Sequence, residues 1–108
     1  MQPSEIIQGL QELTRLNRDG VEFLYKAEEE LAHAEHQLDL SEAKAFMECS
    51  GTVAERQAIA RIESAQNRLE RDLARAKVNR IRMKLKSIES EIMANATMSK
   101  LMQAEMKL

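Results

Sequence analysis

Two histidines, one cysteine and a dense basic run carry most of the chemistry available to this 108-residue sequence. The string Glu30-Leu31-Ala32-His33 has the Glu-x-x-His spacing of di-iron helical bundles, where side chains three apart project together from one helix. Here Leu31 belongs to the apolar repeat described below, so Glu30 flanks a core and His33 faces outward. No metal site is expected. Cys49 has no histidine or serine arrangement beside it to activate a nucleophile. No glycine-rich phosphate loop occurs. The expectation is a protein with no catalytic residue, no cofactor and no enzymatic activity.

The basic run is Arg75, Lys77, Arg80, Arg82, Lys84 and Lys86, with no acidic residue from 73 to 88. Cations gathered on one face would bind a phosphate backbone. On a helix, Arg75, Arg82 and Lys86 fall to one side of the Ile81–Leu85–Ile88 stripe, and Lys77, Arg80 and Lys84 to the other. No aromatic residue is interleaved to stack on bases. Flanking an apolar seam is the primary reading of these residues, and single-stranded nucleic-acid binding is the alternative.

Positioning these residues falls to long helices. Aromatics are 3% of the chain and charged residues 31%, with three Gly and one Pro, too few turn-formers and β-formers for a strand-rich fold. At Cys49-Ser50-Gly51-Thr52-Val53-Ala54-Glu55, Gly51 suits a helix C-terminus and Thr52 with Glu55 forms a capping box. One helix ends there and another begins. Upstream, Leu10, Leu24, Leu31, Leu38 and Ala45 recur at multiples of seven, with Leu13, Ala27 and Ala34 at the second core position. Asn17 and Gly20 interrupt this seam, and a kink or fraying is expected there. Downstream, Ile62, Leu69, Leu73 and Ala76 share one face, while Val78, Ile81, Leu85, Ile88 and Ile92 share another.

The fold expected is all-α: an antiparallel two-helix coiled-coil hairpin with a short C-terminal helical tail, forming one domain over 1–108. The helices span about 4–49 and 53–94, with a turn at 50–52, a break near Asn95 and Thr97, and an amphipathic tail over about 97–108. Folding about Gly51 pairs Leu10 with Ile92, Leu24 with Val78, and Leu38 with the neighbourhood of Ala65, leaving residues after about 98 without a partner. A lone hairpin of this size has a narrow core. Self-association into a homodimer, as a helical bundle, is therefore expected.

Charge is segregated. Residues 1–51 hold eleven acids and four bases, while residues 52–108 hold seven acids and twelve bases, for a net charge of −2. The acidic stretch Glu28, Glu29, Glu30, Glu35, Asp39 and Glu42 falls opposite Arg56, Arg61, Arg68, Arg71 and Arg75, which supports the antiparallel orientation. Glu28, Glu29, Glu30 and Glu35 form an acidic face for a partner, or a mimic of nucleic-acid charge. Met98, Leu101, Met102 and Met106 form an apolar anchor at helical spacing. The first residues lack the basic-then-apolar layout of a secretory signal and no stretch is long enough to span a bilayer, so a cytoplasmic location is expected.

The segment Lys44-Ala45-Phe46-Met47-Glu48-Cys49-Ser50-Gly51-Thr52-Val53-Ala54-Glu55-Arg56-Gln57-Ala58-Ile59-Ala60 resembles a family of small phage and prophage early-region proteins. They share an acidic helix, a Gly-[Ser/Thr]-Val-x-Glu-Arg turn and a basic second helix, and often end in a short segment such as Gln103-Ala104-Glu105-Met106-Lys107-Leu108. Cys49 and Ser50 replace the family's more usual acidic or small residues before the Gly. The resemblance implies a setting near single-strand annealing recombinases and single-stranded-DNA-binding proteins, in the cytoplasm of the host cell. It implies an accessory protein that binds, and modulates or inhibits, a recombination or replication protein or a host nuclease or defence complex. It transfers no catalytic residue.

Overall fold

The computed structural model describes residues 2–107 and is all-α among them. The order is α1 (Pro3–Glu48), α2 (Val53–Glu63) and α3 (Ala65–Met106). Met1 and Leu108, the ends of the expected domain and tail, lie outside the described residues. The chain forms two compact units, one of Met1–Leu24 with Arg80–Leu108 and one of Tyr25–Asn79.

Pro3 opens α1, where its missing N–H removes a donor that would have had no partner. At the other end, Gly51 has φ +125°, a conformation L side chains rarely adopt. Thr52 is the N-cap of α2, its hydroxyl accepting from the Glu55 amide at 3.2 Å. The turn read from the sequence is present.

In the Tyr25–Asn79 unit the covered positions keep a strict three-four spacing. On α1 they are Ala27, Leu31, Ala34, Leu38, Ser41 and Ala45; on α2 and α3 they are Ala60, Ser64, Asn67, Arg71, Ala74 and Val78. Ala27 and Val78 are each 1% exposed. Cross-helix ion pairs set the register: Arg68 to Glu42 at 2.7 Å, Arg75 to Glu35 at 3.7 Å and Lys77 to Glu30 at 3.1 Å. As the α3 number rises the α1 number falls, so the helices run antiparallel. Leu38 lies level with Asn67, within the expected neighbourhood of Ala65.

In the other unit Leu85 lies against Gly20, and the side-chain amide of Asn95 against Gly9. In an antiparallel pair Leu24, one turn past Gly20, therefore lies level with Ile81, one turn beyond the expected Val78. The sequence pattern does not distinguish the two, because both are β-branched seam residues. α1 passes through Gly20 without a break. A Cβ there would stand 2.5 Å from Leu85 Cδ2, so the glycine makes room for a leucine and does not fray the helix. Asn17, also on the seam, has its buried Oδ1 without a hydrogen-bond partner.

Two further expectations are corrected. The second helix is divided at Ser64, which is fully buried. Its hydroxyl donates to the Ala60 carbonyl at 2.7 Å, the i−4 back-bonding that bends helices. Beyond it, α3 continues through Asn95 and Thr97, and no separate tail helix forms. Thr97 takes the Met93 carbonyl with its own hydroxyl at 2.9 Å. Because Asn95 meets Gly9, the first turns of α1 run alongside the residues that follow Asn95. Ile6 is 3% exposed, and Ser99 and Met102 are half-buried. Ser99 and Met102 thus lie on the seam with the first turn of α1.

Candidate interaction site

Phe46 lies in the last turn of α1, where carbonyls have no intrahelical partner. Arg56 supplies one from α2. Its Nη2 and Nε donate to the Phe46 carbonyl at 2.9 and 3.1 Å, and its guanidinium lies 4.2 Å from the centre of the Phe46 ring. The last turn of α1 contains no basic residue of its own, so Arg56 brings the positive charge that a helix C-terminus favours. Cys49 is half-buried, its thiol donating weakly to the Phe46 and Arg56 carbonyls. Arg56 was expected opposite the acidic run and instead closes the turn.

Next to it lies an open groove of about 780 Å³ between α1 and α2–α3, lined by Asp39, Glu42, Phe46, Ala58, Arg61 and Arg68 among others. Arg68 spans it. Its Nη2 donates to Glu42 at 2.7 Å and to the Ser64 hydroxyl at 3.2 Å, and its Nη1 to the Arg61 carbonyl at 3.3 Å. Arg71 occupies a seam position, its stem packed and its guanidinium held by Asp72 at 2.9 Å.

The acidic face is divided by these contacts. Glu30 pairs with Lys77 and Glu35 with Arg75, while Glu29 lies 4.0 Å from exposed His33. Glu28 is exposed. Glu30 and His33 do not converge, and among the described residues no cluster of three metal-ligating side chains occurs. In the basic run, Lys77 and Arg75 are engaged with α1 from opposite sides of the seam. Arg80, Arg82, Lys84 and Lys86 are exposed. Arg80 and Lys84 share one side of the helix and Arg82 and Lys86 another, so the four do not form one cationic face. In the C-terminal set, Met102 lies on the seam, while Met98, Leu101 and Met106 are exposed at 43%, 62% and 75%.

The second apolar stripe is the clearest surface feature of the Tyr25–Asn79 unit. Ile62, Leu69, Leu73 and Ala76 lie on the side of α2–α3 turned away from α1, two positions past each seam residue. Ile62 is 74% exposed, Leu69 51% and Leu73 61%. With Gln66 they complete an outer face with no charged residue. On α1 the equivalent outer positions are polar at first, Lys26, Glu29, His33 and His36, and then Leu40, Ala43 and Met47, all exposed. The same contrast holds inside the other unit. There the outer face of α1 reads Glu12, Arg15, Asp19 and Glu22, with Arg15 paired to both Glu12 and Asp19. The α3 positions Met83, Ser87, Ser90, Ala94, Thr97 and Leu101 are uncharged. Between these two sets, Arg80, two positions past Val78, is the charged residue on the back of α3.

No family model, curated protein or solved structure matches this chain. No helix among the described residues is long and apolar enough to cross a membrane.

Proposed function

We propose that this chain is a non-enzymatic accessory protein of the phage and prophage type that acts by protein–protein binding. The observation that carries this reading is the uncharged outer face of α2–α3, with Ile62, Leu69 and Leu73 more than half exposed at coiled-coil spacing. A solvated helix face has no physical reason to hold leucines at three-four spacing, whereas a face that receives another helix does. Exposed Met98, Leu101 and Met106 add adaptable apolar contacts. The turn resemblance supports a target in recombination, replication or host defence, modulated or inhibited by this protein in the host cytoplasm. The acidic residues Glu28, Glu29, Glu30 and Glu35 lie on α1, where Glu30 and Glu35 pair with Lys77 and Arg75, and do not belong to this face in this reading.

The test is a pull-down of the tagged chain from infected or induced cells, with and without nuclease. A stoichiometric protein that survives nuclease and is lost with Leu73→Glu supports the reading. Partners that disappear with nuclease instead favour single-stranded nucleic-acid binding through Arg80, Arg82, Lys84 and Lys86. That alternative requires affinity for an oligonucleotide that falls steeply with salt.

A further inference from the structure

We infer that the outer face of α2–α3 in the Tyr25–Asn79 unit receives the same face of a second copy, antiparallel, across a twofold axis between Leu69 and Leu73. This rests on the protein-binding reading and names its occupant.

The first ground is the charge pattern beside the stripe. A twofold contact is isologous, so position i meets position j and j meets i. The α1–α3 ion pairs show how an antiparallel seam aligns its flanking residues: Glu42 with Arg68 and Glu35 with Arg75 are both the residues that follow a seam position. In the outer stripe, the residues that follow Leu69 and Ala76 are Glu70 and Lys77. The same alignment, with Leu73 level with Leu69 of the second copy, brings Glu70 to Lys77 of that copy, and Lys77 to its Glu70. The pattern is complementary to itself. Lys77 then lies between Glu30 of its own chain, at 3.1 Å, and Glu70 of the other. Asp72, which falls near the axis on the far flank, is already neutralised by Arg71 at 2.9 Å.

Packing agrees with that alignment. Leu73 packs on Leu69 of the second copy, and Gln66 falls level with Ala76, a large residue against a small one. Interdigitation of this kind fills a helix interface without voids.

Area is the third ground. The chain exposes 8374 Å². Folded monomers of 12.3 kDa expose about 6,100 Å². The excess is about 2,300 Å², against the roughly 800 Å² per partner that a standard stable interface covers. A second copy on this face uses surface that the chain has in surplus.

The experiment is disulfide trapping in the Cys49→Ser background. Leu69→Cys with Leu73→Cys is expected to form a covalent dimer under mild oxidation, whereas His33→Cys, on the outer face of α1, is expected to remain monomeric. Glu70→Lys is expected to weaken dimerisation about tenfold by placing four cations at the contact, and Glu70→Lys with Lys77→Glu to restore it. Helicity by circular dichroism confirms that each variant folds. Crosslinking of Leu69→Cys with Leu73→Cys no faster than of His33→Cys overturns the inference. So does a dimer insensitive to Glu70→Lys. A monomeric chain that keeps a stoichiometric nuclease-resistant partner, lost with Leu73→Glu, overturns the second copy as occupant and leaves the protein-binding reading standing. A monomer with no such partner overturns both.

Discussion

The Arg56 guanidinium lies 4.2 Å over the Phe46 ring and donates twice to the Phe46 carbonyl. One side chain of α2 thereby caps the end of α1 and fixes the angle at which the chain reverses. Arg56→Ala is expected to lower unfolding free energy by about 2 kcal/mol, from charge-assisted hydrogen bonds and the loss of the ring contact. Arg56→Lys is expected to recover little, because an ammonium cannot reproduce a planar fork that stacks and donates together. Urea denaturation followed by circular dichroism reads both.

Gly20 and Leu85 give a sharper test of the register. Gly20→Ala gains about 1 kcal/mol in helix propensity. It also places a Cβ 2.5 Å from Leu85 Cδ2, and overpacking of this kind costs about 1–3 kcal/mol. The expected result is a net loss of up to about 2 kcal/mol in the wild-type background. In a Leu85→Ala background the same change is expected to stabilise by about 1 kcal/mol. The double-mutant cycle measures this reversal of sign, which a register pairing Leu24 with Val78 does not produce.

Much of the fold is legible in the residues themselves. The leucine and alanine repeat of α1 predicts its covered face, and Gly51, Thr52 and Glu55 predict the turn. The start of the second seam is not legible, because its covered positions are Ser64, Asn67, Arg71 and Ala74. Close approach of small residues and the packed stem of Arg71 make that seam, while the apolar residues nearby lie on the opposite side. Register is legible only to within a turn, because a slip of three residues exchanges Val78 for Ile81 with no change in chemical type. The stripe Ile62, Leu69, Leu73 and Ala76 was visible as a face, and only the structure shows that α1 does not cover it.

Gly51 is irreplaceable on two counts. Its φ of +125° is strained for any L side chain, and a Cβ would stand 2.6 Å from Glu55 Oε2. Gly51→Ala is expected to destabilise by about 1–3 kcal/mol. Gly51→Ala with Glu55→Ala relieves the clash and leaves the backbone strain, so the pair remains less stable than Glu55→Ala alone. Thermal unfolding of the three variants separates the terms.

Glu12 carries the one resolved acid shift. The hydrogen bond from Arg15, and then the charge of Arg15, hold its carboxyl below the ordinary carboxylate value. A lowered folded-state pKa means that its stabilising effect is present above the unfolded value and disappears as pH falls through the folded one. Carboxyl NMR titration is expected to place the Glu12 midpoint below those of solvated glutamates, and Arg15→Gln to bring it back to the ordinary range. Both side chains are well exposed, so the effect on overall stability is small.

The central claim is that the uncharged back of α2–α3 is a protein-binding face occupied by a second copy. Sedimentation equilibrium of the untagged chain at micromolar concentration, beside Leu73→Glu, tests it most directly. The account predicts twice the mass of the 12.3 kDa chain for the wild type, falling to a single chain with helicity retained in the variant. A wild-type chain that sediments as a monomer, or a dimer that Leu73→Glu leaves intact, contradicts it.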